Sequence, residues 1–202
     1  MMCGRRWLGR VFVCLFLAVA LVGCGGSGGG GYAGRLVKQY GGQKTRPDRV
    51  AIREIVLKRY QTQEKINVTY YHHGSYDNAA MAKIDKIFRD RATGTVGDID
   101  PELIDYLVDI RSRLGLPPTV VFEVMSGYRT PESNGKQRAT NGQIAKESLH
   151  TRGWAVDFRI PKVNGKAIAE IAKTMQRGGV SYYPSTNHVH VDLGNIRTWA
   201  TK

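Results

Sequence analysis

The sequence contains few cysteines, few acidic residues and no apolar run long enough to cross a membrane. All three of its cysteines, Cys3, Cys14 and Cys24, lie within the first two dozen of 202 residues, so the rest of the chain forms no internal disulfide. The longest apolar run, residues 11–22, has about twelve residues and is too short to span a bilayer comfortably. A mature domain must therefore be stabilised by its hydrophobic core, with a bound metal as a further source of stability.

Acidic residues are scarce relative to basic ones. The chain has 30 Lys and Arg against 17 Asp and Glu, a formal net charge of +13, and it stays strongly basic at about +10 without three N-terminal arginines. Such a surface favours an anionic partner, whether nucleic acid, anionic lipid or a cell-wall polymer. The arginines and the apolar run at the N-terminus are typical of an export signal. An exported protein rarely meets nucleic acid, so we expect a partner at the membrane face or in the wall.

The N-terminal segment is typical of an export signal. Arg5, Arg6 and Arg10 precede the apolar run, which ends in Leu21-Val22-Gly23-Cys24. A small residue directly before Cys24 resembles the cleavage site of bacterial lipoproteins, in which the new N-terminal cysteine carries lipid. We therefore predict a signal over residues 1–23 and lipidation of Cys24, which would place the protein in the bacterial cell envelope, facing the periplasm or the wall. The alternatives are an ordinary signal peptide or a membrane anchor with an incidental cysteine. Separately, Arg5-Arg6-Trp7-Leu8 weakly resembles a twin-arginine export signal.

The remaining chain divides into a tether and one domain. Residues 24–49 are rich in glycine and poor in apolar groups, as in flexible linkers. Order is predicted from about Val50, over a domain of residues 50–202 without internal repeats. Apolar periodicity predicts helices over residues 76–92, 101–114 and 166–176, and strands over residues 55–57, 66–70, 119–125, 154–160 and 188–193. The mixture of helices with strands that look antiparallel in the C-terminal part of the chain predicts an α+β fold.

Several boundaries have specific signals. Asp77 or Ser75 is expected to cap the first helix, and Asp100 followed by Pro101 the second. The third helix is expected to be closed by Gly178-Gly179. The polar segment 130–149, with turns at Asn134-Gly135 and Asn141-Gly142, is predicted to be a long loop with a functional role.

Two short segments place histidines and a carboxylate on compatible strand faces. In residues 154–160, Val156 and Phe158 alternate with Asp157, which therefore lies on the face opposite the core. In residues 188–193, His188, His190 and Asp192 likewise share the non-core face. If these strands are neighbours, Asp157 and His190 project from the same side of one sheet.

His150 must fold back to reach this face. Seven residues separate His150 from Asp157, which is about 23 Å in an extended chain, whereas two ligands of one metal lie only about 3 Å apart. Gly153 is where the chain is able to bend. We therefore predict a metal site of His150, Asp157 and His190. The alternative to a metal site is a polar strand surface that faces solvent and happens to carry histidines.

The pair His72-His73 has no acidic partner nearby in the sequence, so we interpret these histidines as structural or exposed.

These motifs resemble a known peptidase superfamily. Ser126-Gly-Tyr-Arg129, Ser148-X-His150-X-X-Gly153-X-Ala155-X-Asp157 and His190-Val-Asp192 are similar to the zinc D-Ala-D-Ala carboxypeptidases and murein endopeptidases, with murein endopeptidase K-like proteins as the nearest branch. The resemblance implies an α+β fold with a small antiparallel sheet and hydrolysis of peptidoglycan stem peptides or cross-links. It also implies that Zn²⁺ is held by His150, Asp157 and His190.

The resemblance leaves the general base open. Many members have an acid or a histidine three residues before the last ligand, but this chain has Asn187 there, which cannot act as a base. His188 is the first candidate and Asp192 the second, although Asp192 would also suit a role in orienting His190. A third alternative is that no dedicated side-chain base exists.

The resemblance also implies which residues contact the substrate. Arg129 is expected to face stem-peptide carboxylates, or else to form a surface ion pair, while Ser148 and Asn134 shape or line the site. We expect a monomeric peptidoglycan peptidase that is attached to the membrane by its N-terminal lipid and binds no nucleic acid. The alternatives are a non-catalytic peptidoglycan-binding lipoprotein and a zinc hydrolase of another amide.

Overall fold

The computed structural model describes residues 52–140 and 144–200. The predicted signal, the lipidation site Cys24, the glycine-rich tether and the predicted turn at Asn141-Gly142 lie outside these residues. Within the described ranges, every helix is too short or too polar to traverse a bilayer.

In the part of the chain that the structure describes, eight strands form one mixed sheet, and four α-helices accompany it. The sheet order is β3-β2-β1-β4-β5-β7-β6-β8, in which β1 with β4 and β6 with β8 are parallel pairs and all other neighbours are antiparallel. The α+β class is confirmed, but the sheet is larger than expected and is not purely antiparallel. The strands are β1 (Ile52–Arg59), β2 (Lys65–His72), β3 (Ser75–Tyr76), β4 (Val121–Ser126), β5 (Ala155–Arg159), β6 (Gly179–Tyr183), β7 (His188–Asp192) and β8 (Arg197–Ala200).

Side-chain caps begin the predicted helices. Asp77 accepts the Ala80 N–H at 2.7 Å before α1 (Asn78–Phe88), so Asp77 rather than Ser75 is the cap. Asp100 accepts the Glu102 N–H at 2.9 Å before α2 (Pro101–Arg113), as predicted. The helix α4 (Gly165–Met175) ends on Gln176, which has a φ of 49°. The predicted closure at Gly178-Gly179 is therefore wrong, because Gly179 already belongs to β6.

The predicted loop at residues 130–149 is partly wrong, because it contains helix α3 (Pro131–Thr140). Thr130 caps this helix by accepting the Ser133 N–H at 3.1 Å, and proline is favoured at the first helical position. Asn134 lies inside the helix, so the predicted turn at Asn134-Gly135 is also wrong. The sequence of this helix is too polar to show an apolar periodicity. The helix is stabilised by its cap and by its contacts with the rest of the domain.

The apolar face of the sheet forms the core, as the alternation predicts. Val156, Phe158, Val189 and Val191 are fully buried, and the Phe158 ring lies 5.6 Å from that of Phe122. Helices α1, α2 and α4 contact the strands of this sheet or one another. The opposite face is consequently left for polar side chains.

The C-terminal part contains strands that the sequence did not predict. The segment 188–193 was expected to be the last strand, but β8 follows it and pairs with β6. Neither β6 nor β8 was predicted. Both are short and include glycine, serine or charged residues, which weaken the period-two apolar signal of a strand. This edge of the sheet matters because it adjoins the predicted metal site.

Candidate metal centre

The strand register brings two of the predicted ligands side by side. Asp157 on β5 is directly opposite His190 on β7, and directly opposite residues point to the same face of a sheet. His190 Nδ1 lies 2.8 Å from Asp157 Oδ1. The two strands are therefore neighbours, which is the condition under which the alternation predicted a shared face for Asp157 and His190.

A tight turn returns His150 to the same place. It lies in a 3-10 turn, Leu149–Arg152, that ends on Gly153 with a φ of 68°. A Cβ at Gly153 would lie 1.9 Å from the Asp98 carbonyl oxygen, so both the conformation and the space require glycine. The turn places His150 Nε2 at 3.5 Å from Asp157 Oδ2, as the predicted bend at Gly153 requires.

The three donor atoms form a compact cluster suited to a metal ion. One ligand atom from each of His150, Asp157 and His190 lies within 4.8 Å of the others, and in the described part of the chain this is the one such group of His, Cys, Asp or Glu. Both histidines are buried and Asp157 is partly buried. Two imidazole nitrogens and a carboxylate match the donor set of metallopeptidase sites.

Hydrogen bonds fix the orientation of both imidazoles. His150 Nδ1 lies 2.7 Å from the Gly127 carbonyl oxygen, which accepts its proton, and His190 Nε2 lies 2.9 Å from Asp192 Oδ2. His150 Nε2 and His190 Nδ1 are then the nitrogens directed at Asp157. Partners of this kind set the tautomer of a metal-binding histidine.

The electrostatics of the cluster favour bound positive charge. Burial alone would lower the pKa of His190, but hydrogen bonds to Asp157 and Asp192 outweigh it and raise the pKa to about 9. Burial would raise the pKa of Asp157, yet the charges of His150 and His190 and the hydrogen bonds they make hold it well below its usual range. Because a proton and a metal ion compete for the same nitrogen, these carboxylates would also stabilise a cation.

Arg129 and Asn134 flank the cluster. Arg129 is buried, with Nη2 at 3.9 Å from Asp157 Oδ2 and donating to Ser126 Oγ at 3.2 Å. Its Nη1 donates to Asn134 Oδ1 at 3.4 Å, and no described residue accepts from its buried Nε. Asn134 also donates to the Ala145 carbonyl at 3.1 Å. Ser148 is buried one residue before the turn.

The two candidate bases have different surroundings. His188 is partly buried, with Nδ1 at 2.6 Å from Thr186 Oγ1 and its ring stacked 4.2 Å from that of Tyr183. Burial lowers its pKa below the ordinary histidine value, against an opposing effect of Asp157. Asp192 is fully buried and accepts hydrogen bonds from His190 and Arg197, an arrangement that favours the orienting role.

Asn187, three residues before the predicted ligand His190, has a structural role. Its Oδ1 accepts the Gly165 N–H at 2.8 Å and its Nδ2 donates to the Val163 carbonyl at 3.1 Å, which joins the start of α4 to β7. Its φ of 51° places it in the left-handed region. The side chain is therefore engaged by the protein itself.

His72 and His73 lie apart from the metal-site cluster. His72 Nε2 lies 3.3 Å from Asp77 Oδ2, so the expectation of no acidic partner is wrong, because helix α1 folds its capping residue back onto β2. The His72 side chain is 39% exposed, and neither histidine belongs to a metal-binding group among the described residues.

Comparisons with known proteins identify the family of the chain. The family model described as peptidoglycan L,D-endopeptidase MepK matches residues 48–199. The chain is 36% identical to the peptidoglycan L,D-endopeptidase MepK of Escherichia coli K12 over 147 residues, 73% of this chain and 80% of the relative. It is 34% identical to the probable enzyme of that name from Haemophilus influenzae, over 73% of this chain and 78% of the relative. No solved structure matches the chain significantly. The chain therefore belongs to the peptidoglycan L,D-endopeptidase MepK family.

Proposed function

We propose that this protein is a zinc-dependent peptidase that hydrolyses peptide bonds in peptidoglycan, as an L,D-endopeptidase. The observation that carries the proposal is the convergence of His150, Asp157 and His190 donor atoms within 4.8 Å. Relatives that are named for this activity match most of the chain. The basic charge of the protein supports an anionic wall polymer as substrate.

Zinc is the ion that this donor set favours. Two histidines and one carboxylate leave the fourth tetrahedral position open, which is the pattern of catalytic rather than structural zinc sites. When bound, Zn²⁺ would supply Lewis-acid activation of the scissile carbonyl and of the attacking water. His150 Nε2, His190 Nδ1 and an Asp157 oxygen would hold it.

His188 is the residue we assign as proton carrier. It lies two residues before His190 on β7, and neighbours two apart on a strand share a face. If its Nδ1–H donates to Thr186 at 2.6 Å, then Nε2 carries the lone pair with which to accept a proton from water. His188 would then return that proton to the leaving amine. Asn187 cannot carry the proton, because a side-chain amide is not basic at neutral pH.

Arg129 is the residue we assign to substrate binding. Its guanidinium lies beside the cluster, 3.9 Å from Asp157, and its donors are arranged to pair with a planar carboxylate. Stem peptides of peptidoglycan carry such carboxylates. Asn134 holds one edge of the guanidinium at 3.4 Å, and Ser148 starts the turn that delivers His150.

We further propose that the protein acts in the bacterial envelope, anchored through lipid on Cys24. The predicted signal and the glycine-rich segment that follows it support this location. The tether would let a monomeric domain reach peptidoglycan from the membrane.

Digestion of purified muropeptides tests the proposal. The wild-type protein is expected to release products identifiable by mass spectrometry, to lose that activity with a chelator and to regain it with Zn²⁺. His150→Ala should abolish turnover while the protein still folds. His72→Ala is the matched control, because it removes a histidine outside the cluster and should retain full activity.

A non-catalytic, peptidoglycan-binding protein is the second candidate, and Asn187 is the observation that favours it. Binding of intact muropeptides without products, in the presence of Zn²⁺, would support this candidate. Full activity of His150→Ala would contradict the ligand assignment.

A further inference from the structure

Strand β8 brings two side chains to the face of the sheet that carries the metal-site cluster. Arg197 is opposite Gly179 on β6, and Trp199 is opposite Ser181. Ser181 is itself opposite His190 on β7. Because directly opposite residues share a face, Arg197 and Trp199 lie on the side of the sheet where His190 meets Asp157.

Arg197 holds the carboxylate that orients His190. The guanidinium donates to Asp192 through Nη1 at 3.1 Å and Nη2 at 2.7 Å. The same carboxylate accepts the backbone N–H groups of Gly179 and Gly194, at 2.8 and 2.9 Å. The paired guanidinium bonds fix the plane of the carboxylate. They therefore also fix the position of Oδ2, which lies 2.9 Å from His190 Nε2.

Trp199 covers the other side of this arrangement. Its ring centroid lies 5.1 Å from that of His190, and the Arg197 guanidinium lies 5.0 Å from the centre of the same indole. Ser181 Oγ donates to the Trp199 carbonyl at 2.8 Å and ties the end of β8 to β6. Trp199 is 36% exposed, so it lies between solvent and the His190 imidazole that its ring contacts.

Gly179 leaves the space that the pair of Arg197 and Asp192 occupies. A Cβ at Gly179 would lie 2.5 Å from Arg197 Nη1 and 2.5 Å from Asp192 Oδ2. Any side chain there would displace the guanidinium or the carboxylate. The pairing of Arg197 with Asp192 therefore requires glycine at position 179 of β6.

We propose that Arg197 and Trp199 are positioning residues that hold the His190 imidazole with Nδ1 directed at Asp157. Arg197 acts through Asp192, and Trp199 acts by packing on the ring. The inference rests on the proposed metal-dependent function. Loss of groups that orient a ligand typically weakens metal binding by about 10- to 100-fold.

Metal affinity of the purified protein tests this role. Zn²⁺ affinity is measured by competition with a chromophoric chelator, ligand geometry by the visible spectrum of bound Co²⁺, and folding by the thermal midpoint of the metal-free protein. We expect Arg197→Gln to bind Zn²⁺ about 10- to 100-fold more weakly with an altered Co²⁺ spectrum. Arg197→Lys should recover part of the affinity, because it keeps the charge but not the paired bonds.

Arg89→Gln is the matched control, because it removes a guanidinium that pairs with Glu64 away from the cluster. It should leave the affinity and the spectrum unchanged. Wild-type affinity and spectrum in both Arg197 variants would overturn the inference, as would their persistence in Gly179→Ala. If Arg197→Gln does not fold, Arg197→Lys and Gly179→Ala decide the question in the same way. A wild-type protein that binds no Zn²⁺ would instead contradict the proposed function, and the inference with it.

Discussion

Asp90 is expected to stabilise the fold by holding the loop that carries Arg129. Its carboxylate lies at the end of α1 and is 1% exposed. It accepts the N–H groups of Ala92 at 2.7 Å and Thr93 at 3.2 Å through Oδ1, and that of Thr130 at 2.6 Å through Oδ2. In Asp90→Asn, an amide nitrogen must replace one acceptor, so one of these donors loses its partner.

The size of the effect follows from the pKa of Asp90. Burial alone would raise it, but the hydrogen bonds, first among them that from Thr130, outweigh burial and lower the pKa from 3.8 to about 2. Each pH unit between the unfolded and folded values is worth about 1.36 kcal/mol, so the ionised carboxylate contributes about 2 kcal/mol at neutral pH. Because the folded pKa is the lower one, this contribution is present above about pH 4 and is lost as the pH falls through about 2.

Chemical denaturation across a pH series measures this contribution. At pH 7, Asp90→Asn should lower the free energy of unfolding by about 2 kcal/mol, and its difference from the wild type should shrink between pH 4 and pH 2. Glu132→Gln is the control, since Glu132 is an exposed carboxylate paired with Lys136, and it should change stability by less than about 0.5 kcal/mol. A difference that is absent at pH 7, or that stays constant down to pH 2, would refute the reasoning.

Three further substitutions probe the site. Gly153→Ala should lower the thermal midpoint and the activity, because its φ of 68° and the approach of Asp98 leave no room for a Cβ; an unchanged melting curve would contradict this. His188→Gln should lower kcat about 10²- to 10⁴-fold while Zn²⁺ content stays unchanged, and steady-state kinetics showing wild-type kcat would exclude His188 as the base. Arg129→Lys should raise KM for muropeptides more than it lowers kcat, because a single ammonium cannot pair with a carboxylate through two parallel bonds; wild-type KM would argue against substrate binding.

Much of the cluster geometry could be predicted from two local signals. Strict alternation around Asp157 and His190 identified the core face of each strand, because a buried sheet face requires apolar residues at every second position. The bend at Gly153 was predictable from the distance that the chain must recover between His150 and Asp157, and the structure makes it with a φ of 68°. Both signals lie within short segments, but they bring the three residues together only if the strands that carry Asp157 and His190 are neighbours.

The parts that escaped prediction lack a periodic apolar signal in the sequence. Helix α3 has a polar sequence, and its place depends on the Thr130 cap and on the hydrogen bonds that Asn134 accepts from Arg129 and donates to residue 145. Strand β8 is too short for a periodic signal, and its parallel pairing with β6 appears only in the folded sheet. For the same reason, the pairing of Arg197 with Asp192 could not be read from the chain alone.

Anomalous diffraction at the zinc absorption edge, from crystals grown with Zn²⁺, tests the central claim most directly. The account predicts one strong peak about 2.0–2.2 Å from His150 Nε2, His190 Nδ1 and an oxygen of Asp157. A map with no peak among these three side chains, or with the ion held by other residues, would contradict it.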